Sequence, residues 1–138
     1  ISSYFNVDMV ICDKSRKRAN EIASMTLIGE VDDRDVVIID DMCDTGGTLA
    51  KCAELIKEKG ARSVRAMITH PVLSGNAYEI IENSVLEELV VCNTIPLKKE
   101  SSKIKVISVA RLFATTIKHA FENKSITGLF IHSNLKKE

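Results

Sequence analysis

Val36-Val37-Ile38-Ile39-Asp40-Asp41-Met42-Cys43-Asp44-Thr45-Gly46-Gly47-Thr48 is the stretch whose reading decides the fold. The apolar run Val36 to Ile39, closing on Asp40, reads as a nearly continuous strand. Such a run is expected when both faces of a parallel sheet are covered. Three acids and two glycines are packed in behind it. Adjacent carboxylates repel one another, and paired glycines loosen the chain. Neither helps a fold by itself, so something outside the chain should compensate. From Thr48 the period changes. Leu49, Cys52, Ala53 and Ile56 recur at i, i+3, i+4 and i+7, with Gly60 as a stop, so a helix begins here.

A strand, an acidic glycine loop and a helix start together define a place. In open α/β sheets, ligands bind in the crevice beyond the carboxyl ends of the strands. Gly46 and Gly47 allow a sharp turn and a close approach of backbone to ligand. The amides at the helix start face an anion, the helix dipole favours one, and Thr45 and Thr48 add hydroxyls. This half of the loop, Asp44 to Thr48, suits a phosphate. Asp40 and Asp41 suit vicinal hydroxyls or a hydrated divalent cation. A phosphate and a diol together describe a ribose phosphate. The plainer alternative is an acidic turn with Thr48 as helix N-cap.

Working outward, Val7 to Cys12, Met25 to Gly29, Ser63 to His70, Leu89 to Cys92 and Ile104 to Ser108 read as further strands. Ala77 to Glu82 reads as a short helix. Val109, Leu112, Phe113, Ile117, Ala120 and Phe121 mark one face of a long late helix, with Phe113 and Phe121 expected in the core. The alternation predicts one α/β domain over residues 1–138, its sheet mainly parallel and flanked by helices.

Composition bounds the function. Nineteen basic and nineteen acidic side chains cancel, so no global field favours nucleic acid or membrane. No apolar run is long enough to span a bilayer. The first residues do not read as a signal peptide, and Ile1 in place of an initiating Met reads as a fragment or a processed product. Cys12, Cys43, Cys52 and Cys92 form no CxxC pair and have no histidine at zinc-finger spacing, which points to reduced, mostly buried thiols in a cytoplasmic protein. Cys43 stands apart because it sits in the acidic loop, where a reactive thiol is conceivable. The basic run Lys14, Arg16, Lys17, Arg18 carries no interleaved aromatics and so does not read as a nucleic-acid patch; by residue type alone it is a solvated loop. His70 closes a strand before Pro71, where a ligand contact and a structural role are both open.

At this point the residues resemble a known family. Asp40 to Thr48 looks like the phosphoribosyl pyrophosphate loop of type I phosphoribosyltransferases. Asp13-Lys14-Ser15-Arg16-Lys17-Arg18-Ala19-Asn20 is similar to the flexible catalytic loop of the ribose-phosphate pyrophosphokinases. Thr69-His70-Pro71-Val72-Leu73-Ser74-Gly75, then Val91 to Pro96, then Ser125 to Phe130 recur in that family in the same order. The resemblance covers nearly the whole chain, and it is to most of the second of the family's two similar halves.

The resemblance implies a type I phosphoribosyltransferase-like fold and a pyrophosphoryl transfer from Mg-ATP to ribose 5-phosphate. It gives Lys14 and Arg16 the catalytic role, closing over the ATP phosphates. It gives Asp40, Asp41, Asp44, Thr45, Gly46, Gly47 and Thr48 the ribose 5-phosphate. Ser125, Thr127 and Phe130 would contribute to an allosteric phosphate/ADP site at a subunit interface. It further implies Mg2+ as cofactor, a hexamer, and metal ligands outside this chain, so the chain alone is expected to be inactive. Two other functions share parts of the pattern. A phosphoribosyltransferase uses the same loop but would carry a base-recognition hood, and none is found. A synthetase-associated regulatory subunit would be expected to lose part of the acidic or basic loop, and here both are present.

Overall fold

The computed structural model describes residues 2–15 and 24–129, with the backbone alone for Lys14, Ser15 and Ser24. Arg16, Lys17, Arg18, Phe130 and His132 lie outside the described residues. The elements run α1 (Ser2–Phe5), β1 (Ile11–Ser15), β2 (Ser24–Ile28), β3 (Asp35–Cys43), α2 (Gly47–Glu58), β4 (Ser63–Pro71), α3 (Ala77–Asn83), β5 (Glu88–Cys92), β6 (Ile104–Ile107) and α4 (Ala110–Phe121), with a 3₁₀ turn at Thr127–Leu129. They fall into two compact units, a larger one of Val10–Ile107 and a smaller one that takes in the described residues before Val10 and after Ile107.

The larger unit is built on a four-stranded sheet of order β3-β4-β5-β6, parallel throughout. The expected α/β class with a parallel sheet is present. Val36 lies opposite Val64, Ile38 opposite Ala66, Asp40 opposite Ile68 and Met42 opposite His70. This register stacks apolar partners along one face and brings the polar ends of both strands to the same edge. α2 buries Leu49, Ala50, Cys52, Ala53 and Ile56, the stripe that its sequence period marks. α3 buries Ala77, Tyr78 and Ile81. Against them lie Val64, Ala66, Ile68, Leu89 and Val91, each nearly inaccessible to solvent.

Four expectations need correction. The strand read at Val7 to Cys12 begins instead at Ile11 and runs on to Ser15, while Val7 is exposed and its amide bonds the Ser2 carbonyl (3.1 Å). Asp13, Lys14 and Ser15 are therefore strand rather than loop. β1 also does not join the parallel sheet. It pairs antiparallel with β2 in a separate ribbon, Lys14 opposite Met25. Third, the apolar run of β3 is not covered on both faces within its unit, since Val37 and Ile39 remain about half exposed (49% and 47%), as does Met67 beside Ile39. The run is apolar on both faces, but α2 packs from the core face alone. Finally, no residue of α4 is buried, and Phe113 and Phe121 are exposed rather than core. Periodicity fixes which residues share a helix face and not what that face meets.

Candidate functional site

β3 delivers the site residues one by one. It continues through Asp40, Asp41 and Met42 to Cys43, so the first two acids are held on rigid strand rather than in a loop. Successive strand residues point to opposite faces. Asp40 follows Ile38 on the α2 side, and Asp41 follows Ile39 on the exposed side. The Asp41 amide donates to the Asp40 carboxylate (2.9 Å), which ties the neighbours locally. Cys43 is 4% exposed, and burial pushes its thiol pKa up. A buried thiol with less thiolate is a poor nucleophile, so the reactive reading of Cys43 is not supported.

The loop proper is only Asp44, Thr45 and Gly46. Gly46 is the helix N-cap in the left-handed region (φ 76°), a conformation that costs other L-residues steric energy. α2 begins at Gly47, and its start has no side-chain cap. Thr48 is thus in the first helical turn and not the N-cap. The Ala50 amide bonds the Gly46 carbonyl (2.9 Å) and closes that turn. Amides preceding it in an α-helix have no acceptor within the helix, which is the usual basis of anion binding. A Cβ built on Gly47 would meet nothing within 4 Å, so the loop is open on this side. A Cβ built on Gly46 would instead come to ordinary van der Waals distance of the Ala77 carbonyl and of Ile80 and Ile81 of α3 (3.5–3.6 Å), so that side of the loop faces α3.

A cleft of about 510 Å³ opens at this edge. Asp40, Asp44, Thr45, Gly46 and Thr48 line its polar part, and Cys52, Ile56 and Ile38 its apolar part; Asp41 and Gly47 are not among its lining residues. Cys12 of β1 also lines it and hydrogen-bonds Cys52, whose thiol is pushed up to about 12, first by burial and then by that neighbour. β1, which carries Lys14 two residues later, therefore runs beside α2. All four cysteines are free thiols. Among the described residues no group of three or more His, Cys, Asp or Glu side chains is gathered as a metal site. No described helix is long and apolar enough to cross a membrane.

The other singled-out residues have plainer settings. His70 is exposed, and its Nδ1 lies 3.0 Å from the Thr94 hydroxyl, which donates to the Thr69 carbonyl (2.8 Å). Because that hydroxyl's one O–H points at the Thr69 carbonyl, its oxygen accepts from Nδ1, and the histidine braces β4 against the segment after β5. In the smaller unit, the Ser125 hydroxyl donates to the Thr127 hydroxyl (3.0 Å) and accepts from the Thr127 amide (3.1 Å), opening the 3₁₀ turn. His119 Nδ1 sits 3.0 Å from the Ser125 carbonyl. At the amino end of β3, five residues before Asp40, the Arg62 guanidinium and then the Ser63 hydroxyl hold Asp35 well below the usual carboxylate range.

Sequence reasoning quoted Thr69 to Gly75 as a family stretch but gave its Ser74 no role. The Leu73 amide donates to the Cys43 carbonyl (3.1 Å) and the Ser74 amide to the Asp44 carbonyl (3.0 Å). The Ser74 hydroxyl also donates to the Asp44 carboxylate. No local signal links positions 30 residues apart in sequence; only the pairing of β3 with β4 brings them together.

Residues 7–131 match the family model of the phosphoribosyl synthetase-associated domain. A ribose-phosphate pyrophosphokinase of Wolinella succinogenes is 58% identical over 125 residues, covering 91% of this chain and 40% of that protein. The ribose-phosphate pyrophosphokinase of Campylobacter jejuni is 50% identical over 131 residues, covering 95% and 42%. The crystal structure of a phosphoribosylpyrophosphate synthetase from Mycobacterium smegmatis superimposes with a TM-score of 0.79 at 34% identity, covering 88% of this chain and 39% of that one. The chain thus spans about 40% of the length of the relatives it matches. With 125 of its 138 residues inside the matched region, it belongs to the phosphoribosyl synthetase-associated domain family.

Proposed function

We propose that this chain is the ribose 5-phosphate-binding part of a ribose-phosphate pyrophosphokinase. The single observation that carries the reading is the start of α2. A helix without a side-chain cap begins on two glycines, beside Asp40 and Asp44 in one cleft. There the amides of Asp44 to Thr48 and the Thr45 and Thr48 hydroxyls hold the 5-phosphate. Asp40 accepts hydrogen bonds from the ribose hydroxyls, and Asp41 adds its carboxylate from the other side of the strand.

In the whole protein the 1-hydroxyl oxygen of ribose 5-phosphate bonds to the β-phosphorus of Mg-ATP. The bond from that phosphorus to the oxygen bridging the α-phosphate breaks. AMP leaves with the bridging oxygen, the hydroxyl proton passes to solvent, and phosphoribosyl pyrophosphate is formed. Such a transfer needs positioning and charge stabilisation more than covalent catalysis. Lys14 and Arg16 supply cationic donors to the phosphates in flight. Mg2+ ordinarily takes one or two carboxylates together with substrate phosphates. Asp40 and Asp41 would take that small share where the ribose hydroxyls are held through the ion, and its main ligands belong to the rest of the protein.

The family also supports assembly into a homo-oligomer, a hexamer, with phosphate and ADP acting at Ser125, Thr127 and Phe130. Four free thiols suit a reducing cytoplasm. The test is an assay of the full-length protein for AMP and phosphoribosyl pyrophosphate from Mg-ATP and ribose 5-phosphate. Product that requires both substrates is expected. Consumption of phosphoribosyl pyrophosphate with a free base would make it a phosphoribosyltransferase. Activity that appears only on adding a separate synthetase would make it a regulatory subunit.

A further inference from the structure

We infer that Ser74 is a positioning residue for ribose 5-phosphate, acting through Asp44; this rests on the reading of the β3–α2 loop given above. Ser74 grips Asp44 twice, amide to carbonyl (3.0 Å) and hydroxyl to carboxylate. One carboxylate oxygen is thereby satisfied and the rotamer fixed, which leaves the other oxygen to the ligand. The grip is itself anchored. Ser74's own carbonyl accepts the Ala77 amide at the start of α3 (3.1 Å), and the adjoining Leu73 amide holds the Cys43 carbonyl (3.1 Å). Leu73 is 2% exposed and lies in the left-handed region (φ 45°). A leucine holds that conformation only when its surroundings over-determine it, and such positions gather at functional sites. Gly75, next in line, is also left-handed (φ 58°). A strained turn, buried at Leu73, whose Ser74 side chain bonds Asp44 is shaped to aim that carboxylate.

The loop amides of Asp44 and its neighbours bind whatever carries a phosphate, but a fixed carboxylate selects the sugar that bears it. Freed from Ser74, Asp44 would sample other rotamers and spend binding energy on being ordered again. The experiment uses the full-length protein. Ser74→Ala should raise KM for ribose 5-phosphate about tenfold, leave KM for ATP within about twofold, and leave the thermal midpoint unchanged. Ser74→Thr, which keeps the hydroxyl, should restore KM. In an Asp44→Asn background, Ser74→Ala should add little further change, because the two substitutions remove one interaction. Equal rises in both KM values, a fall in thermal midpoint that tracks the loss, or full additivity with Asp44→Asn would make Ser74 merely structural. An unchanged KM for ribose 5-phosphate in Ser74→Ala would overturn the inference while leaving the loop assignment standing. A wild-type protein that makes no phosphoribosyl pyrophosphate would overturn the loop assignment, and the inference with it.

Discussion

Gly47 tests the loop at the smallest scale. A Cβ there meets nothing, so a valine is accommodated by the fold and fills the space in front of the helix start. Gly47→Val should therefore change stability by no more than about 1 kcal/mol. It should weaken ribose 5-phosphate binding about tenfold or more, as read by calorimetry. In the proposed reaction Lys14 and Arg16 would act on charge in the transition state. In the full-length enzyme, Lys14→Ala and Arg16→Ala should each lower kcat by about 100-fold or more with a smaller change in KM for ribose 5-phosphate. A change in KM alone would assign them to ground-state binding. Asp35 makes a pH prediction. Arg62 and Ser63 depress its folded pKa, so its contribution is complete above the unfolded value and declines as pH falls through the folded one. The stability gap between wild type and Asp35→Asn, read from urea midpoints, should be constant near neutrality and narrow below about pH 4. Asp35 is half exposed, so the gap is small.

Among the elements, α3 and α4 separate what packing decides from what pattern decides. Ile81 of α3 is inaccessible to solvent, and Ile81→Ala should cost about 2–5 kcal/mol in urea unfolding of this chain. Phe121 of α4 is 89% exposed, and Phe121→Ala should stay within about 0.5 kcal/mol. A large loss at Phe121 would mean that the helix is packed after all. The same contrast explains what was legible in sequence. The periods of β3, α2, β4 and α3, and the glycine break between β3 and α2, are local properties, and those elements lie within a few residues of where their sequences place them. Three features depend on distant partners and have no local trace. They are the antiparallel pairing of β1 with β2, the exposed second face of β3, and the exposure of α4. In the site, the acids and glycines of the loop were legible because chemistry demands unusual residues there. Ser74 was not, because a serine in a turn is ordinary until β3 and β4 pair.

For the molecule as a whole, the loop lies entirely within the compact unit Val10–Ile107. A chain that spans about 40% of its relatives should thus keep a sugar-phosphate loop without a complete catalytic centre. Effective phosphoryl transfer requires both reactants to be held in register. The isolated chain, given Mg-ATP and ribose 5-phosphate, should release no AMP; several turnovers would show that these 138 residues suffice. The most direct measurement is a titration of the chain with ribose 5-phosphate, followed residue by residue through its amide NMR signals. The account predicts saturable shifts that are largest at Asp44, Thr45, Gly46, Gly47 and Thr48, with the amino end of β3 around Asp35 unmoved. Shifts that are absent, fail to saturate, or centre elsewhere would contradict it.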